Sequence, residues 1–307
     1  MEQTLFKIFD KFWGVTEKKD DANHAAQHLP EGIKEENNFA YLPDGDRLHL
    51  LDAYYPADND GRLPVVIDIH GGGWMYGDKE LNKIYCEYIA ARGFLVFNVS
   101  YRLAPQVTVR EQLQDVCAAL KWIGEHLKDF PADPNALMLT GDSAGGQLSA
   151  YAAALSVSEP LRKLFDCADF GLRFNCVTLT SPVAYMNAPG YMGVYGRLMW
   201  GEKPFKQCVK AGLNFDEIID RAPDYPPALL ITSSGDFLAL KQTRDMHRLL
   251  MEKGISSRLL DFPKFEGKHL GHVFAVQFPE SKAGRLCMDK MAAFFREHIG
   301  AMMKDER

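Results

Sequence analysis

The chain has 307 residues, 47% of them hydrophobic and 25% charged, and a formal net charge of −6. This composition suits a large buried core and excludes a disordered chain. With no surplus of cations to neutralise phosphates, nucleic acid is not an expected partner. The six cysteines, at positions 86, 117, 167, 176, 208 and 287, form no C-x-x-C pair and no metal-like spacing. Free, mostly buried thiols in a reducing compartment are expected.

Along the chain, Leu5, Phe6, Ile8, Phe9, Phe12 and Trp13 recur at helical spacing and give an apolar face near the amino terminus. The first residues lack a basic stretch followed by a continuous apolar run, so they do not read as a signal peptide. No segment approaches the roughly 18 apolar residues needed to cross a bilayer. The expectation is a cytoplasmic protein without stable membrane insertion, with self-association left open. Residues 1–40 read as a segment apart from the rest.

From residue 47 strands and helices alternate. Leu48–Tyr55, Pro64–His70, Phe94–Ser100 and Ala136–Thr140 read as strands, with helices predicted at about 80–92, 107–128 and 144–157. The alternation breaks at about 185–222, a stretch rich in Tyr, Met, Gly and Pro that reads as an insertion. It resumes with a strand at Ala228–Ser233, a helix at Lys241–Lys253, a strand at Ser257–Phe262 and a closing helix at Ser281–Ile299. Short β-branched strands between helices of this length predict an α/β fold, with a mostly parallel central sheet and helices on both faces.

The chemistry concentrates at strand ends. Gly141-Asp142-Ser143-Ala144-Gly145 matches G-x-S-x-G between a strand and an Ala-rich helix, the frame in which a strained turn exposes a serine nucleophile. His70-Gly71-Gly72-Gly73-Trp74 follows the strand at 64–70. Glycines there let backbone N–H groups turn toward a developing oxyanion, with Gly72, Gly73 and Ala144 as the candidate donors. His70 reads as a loop anchor rather than a base. Downstream, in the order acid then histidine, Asp236 follows the strand at 228–233 and His272 follows the last strand. His269 is a rival base and Asp261 a rival acid. Asp142 diverges from Ser143 and reads as a loop-stabilising group. With Trp74, Phe237 and Val273 it also stands among the candidate substrate contacts.

These motifs, together with Tyr101-Arg102-Leu103-Ala104-Pro105, Asp133-Pro134 and Ser181-Pro182, resemble those of the hormone-sensitive-lipase-like esterases over about residues 40–300. The resemblance implies an α/β-hydrolase fold and a serine carboxylesterase acting on small-molecule esters, with no metal or organic cofactor. It further implies a small helical cap built from residues 1–40 and 185–222. The chain departs from the family pattern at Gln106 and Leu240, where acidic residues are common. Trp74 also resembles the kynurenine formamidases, so amide hydrolysis stands as an alternative. A membrane-surface lipase using the amino-terminal aromatic face is another. A non-catalytic receptor on this fold is a third, against which the presence of all three triad residues argues.

Overall fold

The structure, a computed structural model, describes residues 2–185 and 214–305. The chain begins with helix α1 (Glu2–Ala25), followed by strands β1 (Ile33–Ala40), β2 (Leu50–Pro56) and β3 (Leu63–Ile69). A 3₁₀ turn (Lys79–Asn82) leads into α2 (Lys83–Ala90), β4 (Leu95–Val99), α3 (Val109–His126), β5 (Ala132–Asp142), α4 (Ser143–Val157), α5 (Glu159–Phe165) and β6 (Cys176–Thr180). After the undescribed stretch come α6 (Phe215–Ile219), β7 (Ala228–Ser233), α7 (Leu240–Glu252), β8 (Ser257–Phe262), a small hairpin of β9 (Lys264–Phe265) and β10 (Lys268–His269), α8 (Phe274–Gln277) and α9 (Lys282–Asp305).

Among the described residues eight strands form one sheet in the order β1-β2-β4-β3-β5-β6-β7-β8. Strands β4, β3, β5, β6, β7 and β8 run parallel, while β2 pairs antiparallel with β4, and β1 with β2. The expected mostly parallel sheet is therefore present, with an antiparallel edge. A parallel sheet is covered on both faces, so its strands lose their polar alternation. In β3, Val65, Ile67 and Ile69 enter a core built with α3, α4 and α7, while Val66 enters a second core built with α2 and α9. Helix α4 runs through the first core, and Leu148, Tyr151, Ala152 and Leu155 are all buried, which is why it shows no polar face. Helix α3 is stopped at its start by a capping box: Thr108 accepts from the Glu111 amide and the Glu111 carboxylate accepts from the Thr108 amide.

Three segments differ from the sequence expectation. Residues 33–40, read as part of the amino-terminal segment, form the edge strand β1. Strand β6 and helix α5 carry no clear pattern in the sequence yet belong to the main fold. Most of the insertion expected at 185–222 lies outside the described residues, but its last part is core: Phe215 and Ile218 of α6 are fully buried against the first cluster. Of the amino-terminal aromatic face, Phe6, Phe9 and Phe12 lie outside the described side chains; Trp13 packs partly buried against the first core. Cys86, Cys117, Cys167, Cys176 and Cys287 are free thiols, and Cys208 lies outside the described residues. No described helix is long and apolar enough to cross a membrane.

Candidate active site

The site forms where the parallel strands end. Ser143 is the first residue of α4, directly after β5, and its φ of 51° lies in the left-handed region. Such a conformation costs a non-glycine residue on the order of 1–3 kcal/mol and persists only when its surroundings enforce it. Here the enforcement is packing: a Cβ at Gly145 would stand 2.0 Å from the Ile69 carbonyl oxygen, so α4 approaches the end of β3 as only glycine allows. The Ser143 carbonyl accepts from the Val183 amide at 3.1 Å.

Asp236 follows β7 in a tight turn and is fully buried. Its Oδ1 accepts from the Ala239 amide at 2.9 Å and from the Leu238 amide at 3.2 Å. Burial alone would raise its pKa, but His272, Ser181 and the Ala239 amide outweigh that and hold it below the usual carboxylate range. His272 sits in the loop between β10 and α8. Its Nδ1 lies 2.8 Å from Asp236 Oδ1 and its Nε2 lies 2.9 Å from Ser143 Oγ. An ionised Asp236 only accepts, so it takes a hydrogen bond from Nδ1–H and leaves Nε2 as acceptor for the serine hydroxyl.

The rivals point elsewhere. His269 is exposed and bonds Ser234 Oγ through Nδ1 at 2.7 Å, while Asp261 pairs with Arg244 at 2.7 Å. His70 is fully buried, stacks on Tyr101 at 4.3 Å and donates from Nδ1 to the Gly71 carbonyl at 3.0 Å. Burial pushes its pKa down to about 4, so it stays neutral and anchors the loop.

The glycine loop after β3 is held in one course. Gly72 and Gly73 have φ of 92° and 57°, and a Cβ at Gly72 would lie 1.9 Å from the Tyr76 carbonyl oxygen. Trp74 is itself left-handed, at φ 64°, with its carbonyl accepting from the Ala104 amide and from Gln112 Nε2, both at 2.8 Å. The Tyr101 hydroxyl donates to the His70 and Gly71 carbonyls at 2.8 and 3.0 Å. The Tyr101–Pro105 run thus braces the glycine loop from behind.

Gly72, Gly73, Asp142, Ser143 and His272 open on a cavity of about 530 Å³. Ala144, next to the serine, is fully buried at the start of α4. Trp74, Phe237 and Val273 line the cavity, joined by Val183, Leu238 and Val276. Asp142 also borders it, but its carboxylate is committed to Asn82 Nδ2 at 2.9 Å. The opposite wall is α1, which contributes Trp13, Thr16, Lys19, Asp20, Asn23 and His24. Helix α1 is fixed there by Trp13 stacked on Tyr76 at 5.6 Å and by the Tyr76 hydroxyl donating to Asp20 at 3.2 Å. Sequence inspection misses Ser233, Asn82, Asp68 and Tyr76, which hold the site in place. For Asp68 the signal is legible afterwards: a lone acid inside an otherwise apolar strand.

Residues 51–171 match the BD-FAE family model. Carboxylesterase NlhH of Mycobacterium tuberculosis is 36% identical over 129 residues, 42% of this chain and 40% of that protein. The chain spans less than half the length of the curated relatives it matches first. Esterase B of Lactobacillus Rhamnosis, in a phosphonate-inhibited crystal structure, is similar over the whole chain: 31% identity, 100% of this chain and 99% of that one, TM-score 0.94. At the level of the fold, an esterase of the bacterial hormone-sensitive lipase family superposes with TM-score 0.70 and 21% identity, covering 91% of this chain and 89% of that one. Matched by esterase B at 31% identity across its full length and carrying that architecture, the chain belongs with it to the α/β-hydrolase esterases.

Proposed function

We propose that the chain is a serine carboxylesterase for short-acyl esters, with Ser143, His272 and Asp236 as its triad. The observation that carries the reading is the unbroken hydrogen-bonded line from Ser143 Oγ through His272 to Asp236 Oδ1, opening on a cavity of about 530 Å³. Ser143 Oγ attacks the ester carbonyl while His272 Nε2 takes its proton. Asp236 holds the Nδ1 proton and stabilises the imidazolium. The amides of Gly72, Gly73 and Ala144 receive the oxyanion. Collapse of the tetrahedral intermediate breaks the carbon–oxygen bond, and His272 returns its proton to the departing alcohol. Water, deprotonated by His272, then attacks the acyl-enzyme, and a second collapse breaks the bond to Ser143 Oγ, which takes the proton back from His272 as the acid leaves.

The size of the acyl group follows from the walls. Trp13, Trp74, Phe237 and Leu238 line the same cavity as the serine, and a bounded cavity rewards each added methylene by about 0.8 kcal/mol only while apolar cover lasts. Beyond that, overpacking costs about 1–3 kcal/mol. Support comes from esterase B, described in C4-C4 tributyrin phosphonate and C6-C4 inhibited forms. The buried free thiols support a reducing, cytoplasmic setting.

The test is kcat/KM over p-nitrophenyl esters of rising chain length, beside an N-formyl aryl amide, for the wild type and Ser143→Ala. A maximum at acetyl to butyryl, lost in Ser143→Ala together with labelling by a fluorophosphonate, is the expected result. Faster turnover of the formamide would overturn the ester assignment, and retained labelling would overturn the nucleophile.

A further inference from the structure

Asp68 is the single polar side chain of β3, in a run where Val65, Val66, Ile67 and Ile69 are fully buried. Strand alternation turns it with Val66 toward α2. A carboxyl group there is costly unless partnered. Its partner is Asn82, itself 1% exposed, whose Nδ2 donates to Asp68 Oδ2 at 2.8 Å and to Asp142 Oδ1 at 2.9 Å. The Asn82 amide nitrogen therefore spends both of its protons on two buried carboxyls from different strands. On the far side of Asp142 stands the glycine loop: the Gly71 amide donates to the carboxylate, and a Cβ at residue 71 would lie 2.4 Å from its Oδ2. A continuous polar path thus runs from β3 through Asn82 and Asp142 to the backbone just before Gly72 and Gly73.

We propose that Asn82 is a positioning residue for the oxyanion loop: anchored on Asp68, it fixes the Asp142 carboxylate against the Gly71 amide and so sets the direction of the Gly72 and Gly73 amides. This rests on the serine-esterase reading, which supplies the oxyanion those amides receive. Asn82 borders the cavity, but its Nδ2 is spent on Asp68 and Asp142, so it acts through Asp142.

The charge state fits the geometry. Burial, reinforced by the neighbouring Asp142, pushes Asp68 up to about 8, and burial pushes Asp142 up to about 6 against the opposing pull of Asn82, His272 and the Gly71 amide. Near neutral pH the pair carries one negative charge, on Asp142. An ionised carboxylate only accepts, which suits the two N–H donors that flank it.

The experiment uses the full chain and p-nitrophenyl acetate, with the wild type, Ser143→Ala, Asn82→Ala, Asp142→Ala and the Asn82→Ala/Asp142→Ala double variant. Loss of one well-placed oxyanion donor costs roughly 10²–10³ in kcat, so Asn82→Ala is expected to lower kcat by about 10²-fold with KM changed less than about threefold. Because Asn82 works through Asp142, the double variant is expected to be no slower than Asp142→Ala. Multiplying losses in the double variant, or a wild-type kcat in Asn82→Ala, would overturn the role. If Asn82→Ala does not fold by circular dichroism, Asn82→Ser, which keeps one short donor, carries the same comparison. Failure of the underlying reading is distinguishable: there the wild type does not turn over the ester, or Ser143→Ala retains turnover.

Discussion

Ser233, the last residue of β7, donates its hydroxyl to the Leu270 carbonyl at 2.8 Å and lies 3.2 Å from the Gly271 carbonyl. This bond ties the strand that delivers Asp236 to the loop that delivers His272. The loop has little regular structure of its own: Val273, next to the histidine, is left-handed at φ 48°. Without the tie the imidazole loses its registration against Ser143. Ser233→Ala is expected to cost about 1 kcal/mol of stability for the lost hydrogen bond, and on the order of tenfold in kcat with little change in KM. Thermal unfolding and steady-state kinetics on one preparation separate the two effects. An unchanged kcat would show that the histidine loop is held by other contacts.

The two histidines of that loop give a second prediction. His272 bonds both Ser143 and Asp236, whereas His269 is exposed and bonds Ser234. Triad members act as a unit, so His272→Ala should cost as much as Ser143→Ala, of order 10⁶ in kcat. His269→Ala should stay near wild type. Asp236→Asn should keep the fold and lower kcat by about 10⁴, because the amide favours the wrong imidazole tautomer. Asp261→Asn, which removes only a surface partner of Arg244, should not. Comparable losses at Asp261 and Asp236 would reassign the acid.

Stability should depend on pH through Asp68. Its carboxyl is raised to about 8 by burial and by Asp142, with Asn82 and the Cys86 thiol opposing; Tyr85 and, beyond Asp142, His272 complete the titratable groups around the pair. Between the ordinary carboxylate range, near 3.9, and about 8, the folded chain keeps a proton that the unfolded chain has lost. The folded state is then favoured at the acid end, and that contribution disappears as pH rises through the folded value. The slope from one such proton is at most about 1.4 kcal/mol per pH unit. Asp68→Asn, which mimics the protonated acid, should flatten urea-derived stability between pH 5 and 8. A wild-type profile no steeper than the variant's over that window would remove Asp68 as its source.

What could be read from the sequence divides along a physical line. The elbow, the glycine loop and the order of acid and histidine are local: each is a strand end followed by a turn whose residue types the chemistry restricts. Strand β8 was legible to the residue because its apolar run is bounded by polar residues on both sides. Strand β6 was not, because it reads Cys-Val-Thr-Leu-Thr and its threonines look like a solvated face. In the fold Thr178 donates its hydroxyl to Thr140 Oγ1 at 2.8 Å, and Thr140 donates to the Thr178 carbonyl at 2.9 Å, so both are satisfied in the interior. Pairings over tens of residues, such as Asn82 with Asp142 or Ser233 with Leu270, leave no periodic trace. The same holds for β1, whose mostly exposed polar residues pair along an edge strand.

The last prediction concerns the wall made by α1. Trp13 lines the cavity that holds Ser143 and stacks on Tyr76, whose backbone carbonyl sits against Gly72, so one side chain bounds the cavity and packs on the neighbour of the glycine loop. Removing the indole enlarges the cavity along the α1 wall. Trp13→Ala should move the best p-nitrophenyl ester from acetyl or butyryl toward hexanoyl or octanoyl, each new methylene contributing up to about 0.8 kcal/mol where it finds apolar cover. kcat for acetate should fall, since the stack no longer steadies Tyr76. Tyr76→Phe separates the docking of α1 from the stack: it keeps the stack but loses the bond to Asp20, a carboxyl whose pKa burial already raises. That variant should keep the short-chain optimum and loosen only the docking of α1, read as faster proteolysis at the amino terminus. Unaltered chain-length preference in Trp13→Ala, measured alongside a Tyr76→Phe control, would mean that α1 does not bound the acyl site and that the limit lies with Phe237 and Leu238 on the opposite wall.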